Sequence, residues 1–174
     1  VCRDWASVDA LIPPVHSYDF DSSAWNTLEA PLFELDSNLK DEAYRIVSDE
    51  NGITVFHGAE GDHRAQSTLG QLGMLGNEVA LPWGEIYDEP AFSHRGLLMD
   101  VCRHFFTVEE VKRQLDIMAM YKFNVLHWHL TEDQGWRVAM DAYPKLAEVA
   151  AFRNHGDSAY GGFYTREDLE EVVA

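Results

Sequence analysis

Residues 96–130 read GLLMDVCRHFFTVEEVKRQLDIMAMYKFNVLHWHL. Three textures follow one another in this stretch. GLLMDVC (96–102) is a nearly continuous apolar run, the mark of a strand buried on both faces. Thr107-Val108-Glu109-Glu110 fits a capping box, in which the Thr107 hydroxyl and Glu110 carboxylate close the open amides of a helix start. Val108, Val111, Leu115 and Met118 or Ala119 trace one helical face as far as Tyr121. Asn124 then leads into VLHWHL (125–130), a second buried strand. Strand, helix and strand joined by short loops make a βαβ unit, so the two strands are expected to be parallel. A parallel sheet of two strands cannot cover itself.

The flanking sequence extends this reading. Downstream, Asp141–Ala151 is expected to be helical, with Pro144 suited to a first turn. Thr165 is the expected N-cap of a last helix, which runs through LEEVVA to the final residue without a Gly or Asn to close it. Leu169, Val172 and Val173 then face a partner not supplied, and the chain is expected to stop inside a larger α/β domain. Upstream, EAYRIVSDENGITVFHG (42–58) holds two strand-like runs, Ala43–Val47 and Ile53–Phe56, around Asn51-Gly52. Asn-Gly supplies the positive φ that a tight hairpin needs. Asp62–Leu75 places Ala65, Leu69 and Leu72 at helical spacing, although Gly70 and Gly73 weaken the pattern. This predicts a small α+β unit. Pro82, Pro90 and EIYDE (85–89) read as a linker, so the expected division is 1–90 and 91–174. Residues 1–37 are polar, proline-punctuated and without clear period, and no element is assigned to them.

Composition narrows the function classes. Apolar residues make up 46% of the 174 and aromatics 12%, enough for a core. Thirty acidic residues against 13 basic leave a net charge of −17, which repels nucleic acid and anionic membrane surfaces and favours a neutral partner. No run reaches the roughly 18 apolar residues of a membrane span. No signal peptide opens the chain, and the first residue is not Met, so an amino-terminal segment is expected to be processed or missing. Cys2 and Cys102 are too few for a disulfide framework. Localisation stays unknown.

Two constellations could carry chemistry. His127 and His129 lie two apart on one strand face and could share a metal ion, with Glu132 or Asp133 adding an oxygen. The alternative is a pair of histidines hydrogen-bonded within the sheet. The second constellation comes from the strand ends, Cys102-Arg103-His104 and Thr131-Glu132-Asp133. Functional side chains in parallel α/β folds collect at carboxyl ends of strands, so Arg103 and Glu132/Asp133 should open onto one rim. Arginine offers a fixed fork of donors for a carboxylate, a phosphate or paired sugar hydroxyls. A salt bridge that merely ties the two strands together is the other reading.

The run HRGLLMDVCRHFFTVEEVKRQLDIMAMYKFNVLHWHLTEDQGWR (94–137), with YPKL (143–146) and GGFYT (161–165), closely resembles the β-N-acetylhexosaminidases of glycoside hydrolase family 20. EAYRIVSDENGITV resembles the α+β domain that precedes their catalytic domain. The resemblance implies the amino-terminal portion of a (β/α)8 TIM barrel after a small α+β domain. It implies a retaining exo-glycosidase acting on terminal β-linked N-acetylglucosamine or N-acetylgalactosamine, through attack by the substrate's own acetamido group. No cofactor and no metal are implied, and the partner is a carbohydrate. Family members are often secreted, periplasmic or lysosomal.

Carried over by position, Arg103 matches the family's substrate arginine. Glu132 matches an acid that supports a histidine beside the general acid; many relatives have Asp there. Asp133 is a weaker candidate for the same supporting role. Trp128 and Trp136 are read as structural. The family's catalytic Asp–Glu pair has no counterpart here: Asp41-Glu42, Asp49-Glu50 and Asp88-Glu89 all precede the first barrel strand. That pair is expected beyond residue 174, which leaves the 174-residue chain inactive alone. Two other classes remain open: a metal-dependent hydrolase built on His127/His129, and a non-catalytic carbohydrate-binding protein.

Overall fold

The structure is a computed structural model that describes residues 10–27, 30–75, 80–155 and 158–174. Cys2 lies outside the described residues. The chain divides into two compact units, Val1–Arg95 with Ala119–Phe123, and Gly96–Met118 with Asn124–Ala174.

The first unit is built on a five-stranded sheet. Its strands are β1 (Ser17–Thr27), β2 (Leu32–Leu35), β3 (Tyr44–Asp49), β4 (Gly52–His57) and β5 (Ala80–Asp88), in the order β1-β5-β3-β4-β2. β2 runs parallel to β4, and the other neighbours are antiparallel. The β3–β4 hairpin forms as expected, with one difference. Asp49 pairs with Gly52, so Glu50 and Asn51 form the turn, and the positive φ falls on Gly52 at 115°. Helix α1 (Gly61–Leu75) buries Ala65 and Leu72 against Ile46, Val55 and Ile86, with Leu69 packed at the margin.

Residues 80–88 are not a linker. They form β5, paired on both sides, with Leu81 and Ile86 fully buried. Pro82 is tolerated because it has only one strand neighbour. β3 pairs with β5 from Asp88 back to Gly84, while Pro82 faces Trp25 of β1 beside a register irregularity. The acidic run hides a strand because its charge falls on both faces: Glu85 is part-exposed, while Asp88 is buried on the same face as Ile86.

Glu42 is the densest ionic point of this unit. Its Oε1 accepts from Arg64 Nε (3.0 Å) and Nη2 (2.8 Å), and Arg95 grips both oxygens at 2.5 and 3.1 Å. The hydrogen bonds from Arg95 first, and then from Arg64, hold its carboxyl below the usual 4.5 against the opposing effect of burial. A depressed carboxylate adds stability that is fully present above its unfolded value and is lost as pH falls through the folded one. Glu42→Gln should therefore cost about 1–3 kcal/mol at neutral pH. It should also flatten the fall in melting temperature between about pH 5 and pH 3. Parallel melting curves for the two proteins across that range would contradict this.

The second unit begins with β6 (Gly96–Asp100), α2 (Val108–Met120) and β7 (Val125–His129). β6 and β7 are parallel, and the Thr107–Glu110 capping box is present, with amide-to-side-chain distances of 2.7 and 3.3 Å. Val101, Val111 and Tyr164 form the buried core, flanked by Met99, Leu126 and Trp128. The expectation that β6 is buried on both faces is not met. Leu98 is 57% exposed, because only one face of the two-stranded sheet is covered. β8 (Thr131–Glu132) and β9 (Gly135–Trp136) make a small hairpin. α3 (Pro144–Ala150) follows, with Pro144 in its first turn. β10 (Phe152–His155) and β11 (Ser158–Gly161) then pair, and α4 (Arg166–Val173) is opened by a Thr165–Asp168 capping box. Leu169 and Val172 pack on the core, so the partner that α4 was expected to lack is supplied for these two by the same unit. Only Val173 stays open, at 82% exposure.

Candidate functional site

The register of β6 and β7 builds the site. Gly96 pairs with Val125 and Asp100 with His129, so the two strands end level. Arg103 lies three residues past the first end and Glu132 three past the second. The parallel pairing therefore delivers both to the same rim. Arg103 Nε sits 2.7 Å from Glu132 Oε1. The Arg103 side chain is 54% exposed while that of Glu132 is 13% exposed, so the acid is set into the wall and the guanidinium reaches outward. The second oxygen, Glu132 Oε2, is 3.6 Å from His129 Nε2. Asp133, in the turn of the β8–β9 hairpin, is exposed and does not join this pair.

Two functional candidates escape a sequence reading. Asp100 ends β6. Its Oδ1 accepts the amides of Cys102 (3.0 Å) and Arg103 (3.1 Å), and its Oδ2 takes Arg103 Nη1. Burial pushes its carboxyl up, but Arg103 and the two amides outweigh that and leave it below the usual carboxylate range. The second is Arg137, which is fully buried and makes no ion pair with a carboxylate among the described residues. Its Nε donates to Val101 O (2.8 Å) and its Nη2 to Cys102 O (2.7 Å), while Nη1 donates to Ala151 O and Gly162 O. The two carbonyls just ahead of Arg103 are thereby fixed. Gly135 lets the β8–β9 hairpin lie against this loop, since a Cβ there would sit 2.7 Å from Cys102 O.

The histidine pair does not converge on one ligand position in company with an acid. His127 is exposed, and its ring centroid is 6.0 Å from that of His129. Among the described residues, the donor atoms that do converge belong to Asp100, Cys102 and His129, within 4.8 Å of one another. That set fits a metal poorly. Asp100 is engaged by Arg103, and burial pushes the Cys102 thiol up, away from the thiolate that ligates. Trp128 packs edge-on to Tyr164 at 4.7 Å and Trp136 donates to Val138 O, so both are built into the unit's interior structure.

A parallel strand–helix–strand unit that presents an arginine and a carboxylate at its carboxyl edge is the repeating unit of α/β proteins, barrels and open sheets alike, whose functional groups collect at that edge. Residues 92–174 match Glycosyl hydrolase family 20, catalytic domain, so this segment belongs to that family. It is similar to the β-hexosaminidase of Porphyromonas gingivalis, with 47% identity over 145 residues that cover 78% of this chain and 19% of that protein. The β-hexosaminidase of Akkermansia muciniphila is 36% identical over 171 residues, covering 95% of this chain and 35% of that one. A solved relative is the family 20 exo-β-N-acetylglucosaminidase of Vibrio harveyi in complex with N-acetylglucosamine. It shares a TM-score of 0.75 at 36% identity, over 82% of this chain and 25% of its own. The fold class is thus α/β, a portion of a TIM-barrel enzyme. The chain spans between 19% and 35% of the length of these two curated relatives.

Proposed function

We propose that this chain carries part of a retaining exo-β-N-acetylhexosaminidase that removes terminal β-linked N-acetylglucosamine or N-acetylgalactosamine. Residues 1–90 are assigned to the flanking α+β domain and 91–174 to the first part of the barrel. The observation that carries the reading is the meeting of Arg103 and Glu132 at one strand edge, inside the matched segment. A net charge of −17 suits an uncharged sugar better than a nucleic acid. None of the described helices is long and apolar enough to cross a membrane.

In this scheme Arg103 binds hydroxyls of the terminal sugar through its planar fork and fixes the ring. The oxygen of the 2-acetamido group attacks the anomeric carbon as the glycosidic bond breaks, giving an oxazolinium ion. An Asp orients the acetamido group. A Glu protonates the departing oxygen, then takes a proton from the incoming water. We place that pair in a segment outside these 174 residues. Glu132 acts one shell back, as a fixed negative charge toward the histidine beside the general acid, and Asp133 has at most a supporting part.

The test compares two polypeptides on a chromogenic N-acetyl-β-glucosaminide. The 174-residue chain is expected to give no turnover. A polypeptide that continues through the later barrel strands is expected to hydrolyse the substrate and release the sugar with its anomeric configuration retained. Turnover by the short chain would overturn the placement of the acid–base pair, and inversion would overturn the mechanism.

A further inference from the structure

We propose that Asp100 is a positioning residue for the sugar-binding arginine, holding the Arg103 guanidinium in the orientation that meets the substrate. This rests on the reading of Arg103 given above. A free arginine side chain samples many rotamers, and an exposed one is ordered only if something grips it. Here two carboxylates divide that task. Glu132 contacts Nε from the neighbouring strand, and Asp100 contacts Nη1 from the arginine's own strand end. The Arg103 side chain is still 54% exposed, and among the described residues no hydrogen bond or ion pair is formed by Nη2.

Asp100 does more than neutralise charge. Its other oxygen accepts the amides of Cys102 and Arg103, so one carboxylate sets both the backbone turn and the side-chain direction. The strand register adds a reason for its place. Asp100 is the last residue of β6 to be paired, opposite His129, so its backbone is fixed by the sheet. The anchor is rigid and the arginine is the moving part.

The two roles of Asp100 separate in Asp100→Asn. The amide oxygen can still accept the two backbone amides, but the NH2 group cannot hold a guanidinium. In the whole polypeptide that carries this chain, this variant should lose about tenfold or more in kcat/KM on the chromogenic substrate. Its melting temperature should stay within about 1 °C of wild type. Placed on an Arg103→Ala background, the same change should cost less than about twofold, because a residue that acts through Arg103 has nothing left to act on. Phenylglyoxal labelling of Arg103, read by peptide mass spectrometry, should be several-fold faster in Asp100→Asn than in wild type. Equal losses in both backgrounds would mean that Asp100 meets the substrate itself. No loss in the wild-type background, or unchanged labelling, would mean that Glu132 alone suffices. Each of these results overturns the proposal. If the wild-type polypeptide does not hydrolyse the substrate, the glycosidase reading fails, and the labelling rate still decides whether Asp100 holds Arg103.

Discussion

In the whole polypeptide that carries this chain, Arg103→Lys should lower kcat/KM on an N-acetyl-β-glucosaminide by about 10²–10³-fold while the protein stays folded. Lysine keeps the positive charge, so bulk electrostatics at the rim are unchanged. What it loses is the plane. The guanidinium touches Glu132 through Nε and Asp100 through Nη1 at once, and still presents Nη2. The three donors of an ammonium radiate from one atom on a flexible stem and cannot reproduce the separated, coplanar donors of the fork. The stability cost should be small, because the side chain is more than half exposed and exposed ion pairs contribute only about 0–1 kcal/mol. Steady-state kinetics and a thermal melt of the same preparation decide the matter. Unchanged kinetics with a sharp fall in melting temperature would make Arg103 a strand-to-strand tie and no more.

The parts of the site that could be read from the sequence are those fixed by strand register. Once 96–102 and 125–130 are taken as parallel strands, residues just beyond their ends must share an edge, and Arg103 and Glu132 do. Asp100 was not legible because it sits inside an apolar run, where a single acid looks like an interruption of a strand. Its role depends on the backbone turning back toward its carboxylate, which no periodicity reports. β5 was obscured by a proline and by its acids, one of which, Asp88, lies on the buried face where an apolar residue is expected. β1 was obscured because the alternation of Tyr18 and Phe20 with Asp19 and Asp21 is short and stops at Ser22-Ser23, where the register is irregular between Asp21 and Trp25. The capping box at Thr107 and the N-cap at Thr165 were legible because their signal lies within four residues. Arg137 left no trace at all, since its partners are carbonyls contributed by residues far along the chain on both sides.

That residue carries the largest expected effect on stability. Arg137→Met should destabilise the protein by about 3–5 kcal/mol. The side chain is completely buried, and burial pushes its guanidinium down from its ordinary value, yet among the described residues no carboxylate compensates it. Four backbone carbonyls do so instead, those of Val101, Cys102, Ala151 and Gly162. Methionine would fill much of the volume but leave these acceptors buried and unpaired, and each such loss costs about 1–3 kcal/mol before relaxation. Arg137→Lys should recover only part of the loss, because three donors on one atom cannot reach acceptors spread around a planar fork. Urea unfolding of the three proteins gives the comparison, and a Met variant within about 1 kcal/mol of wild type would show that water takes over the carbonyls. The consequence for function follows from sequence position. Val101 and Cys102 lead directly into Arg103, so the buried guanidinium fixes the backbone on which the exposed one stands. In the whole polypeptide that carries this chain, a population of Arg137→Lys that remains folded should therefore lose kcat/KM by a larger factor than its fraction unfolded explains.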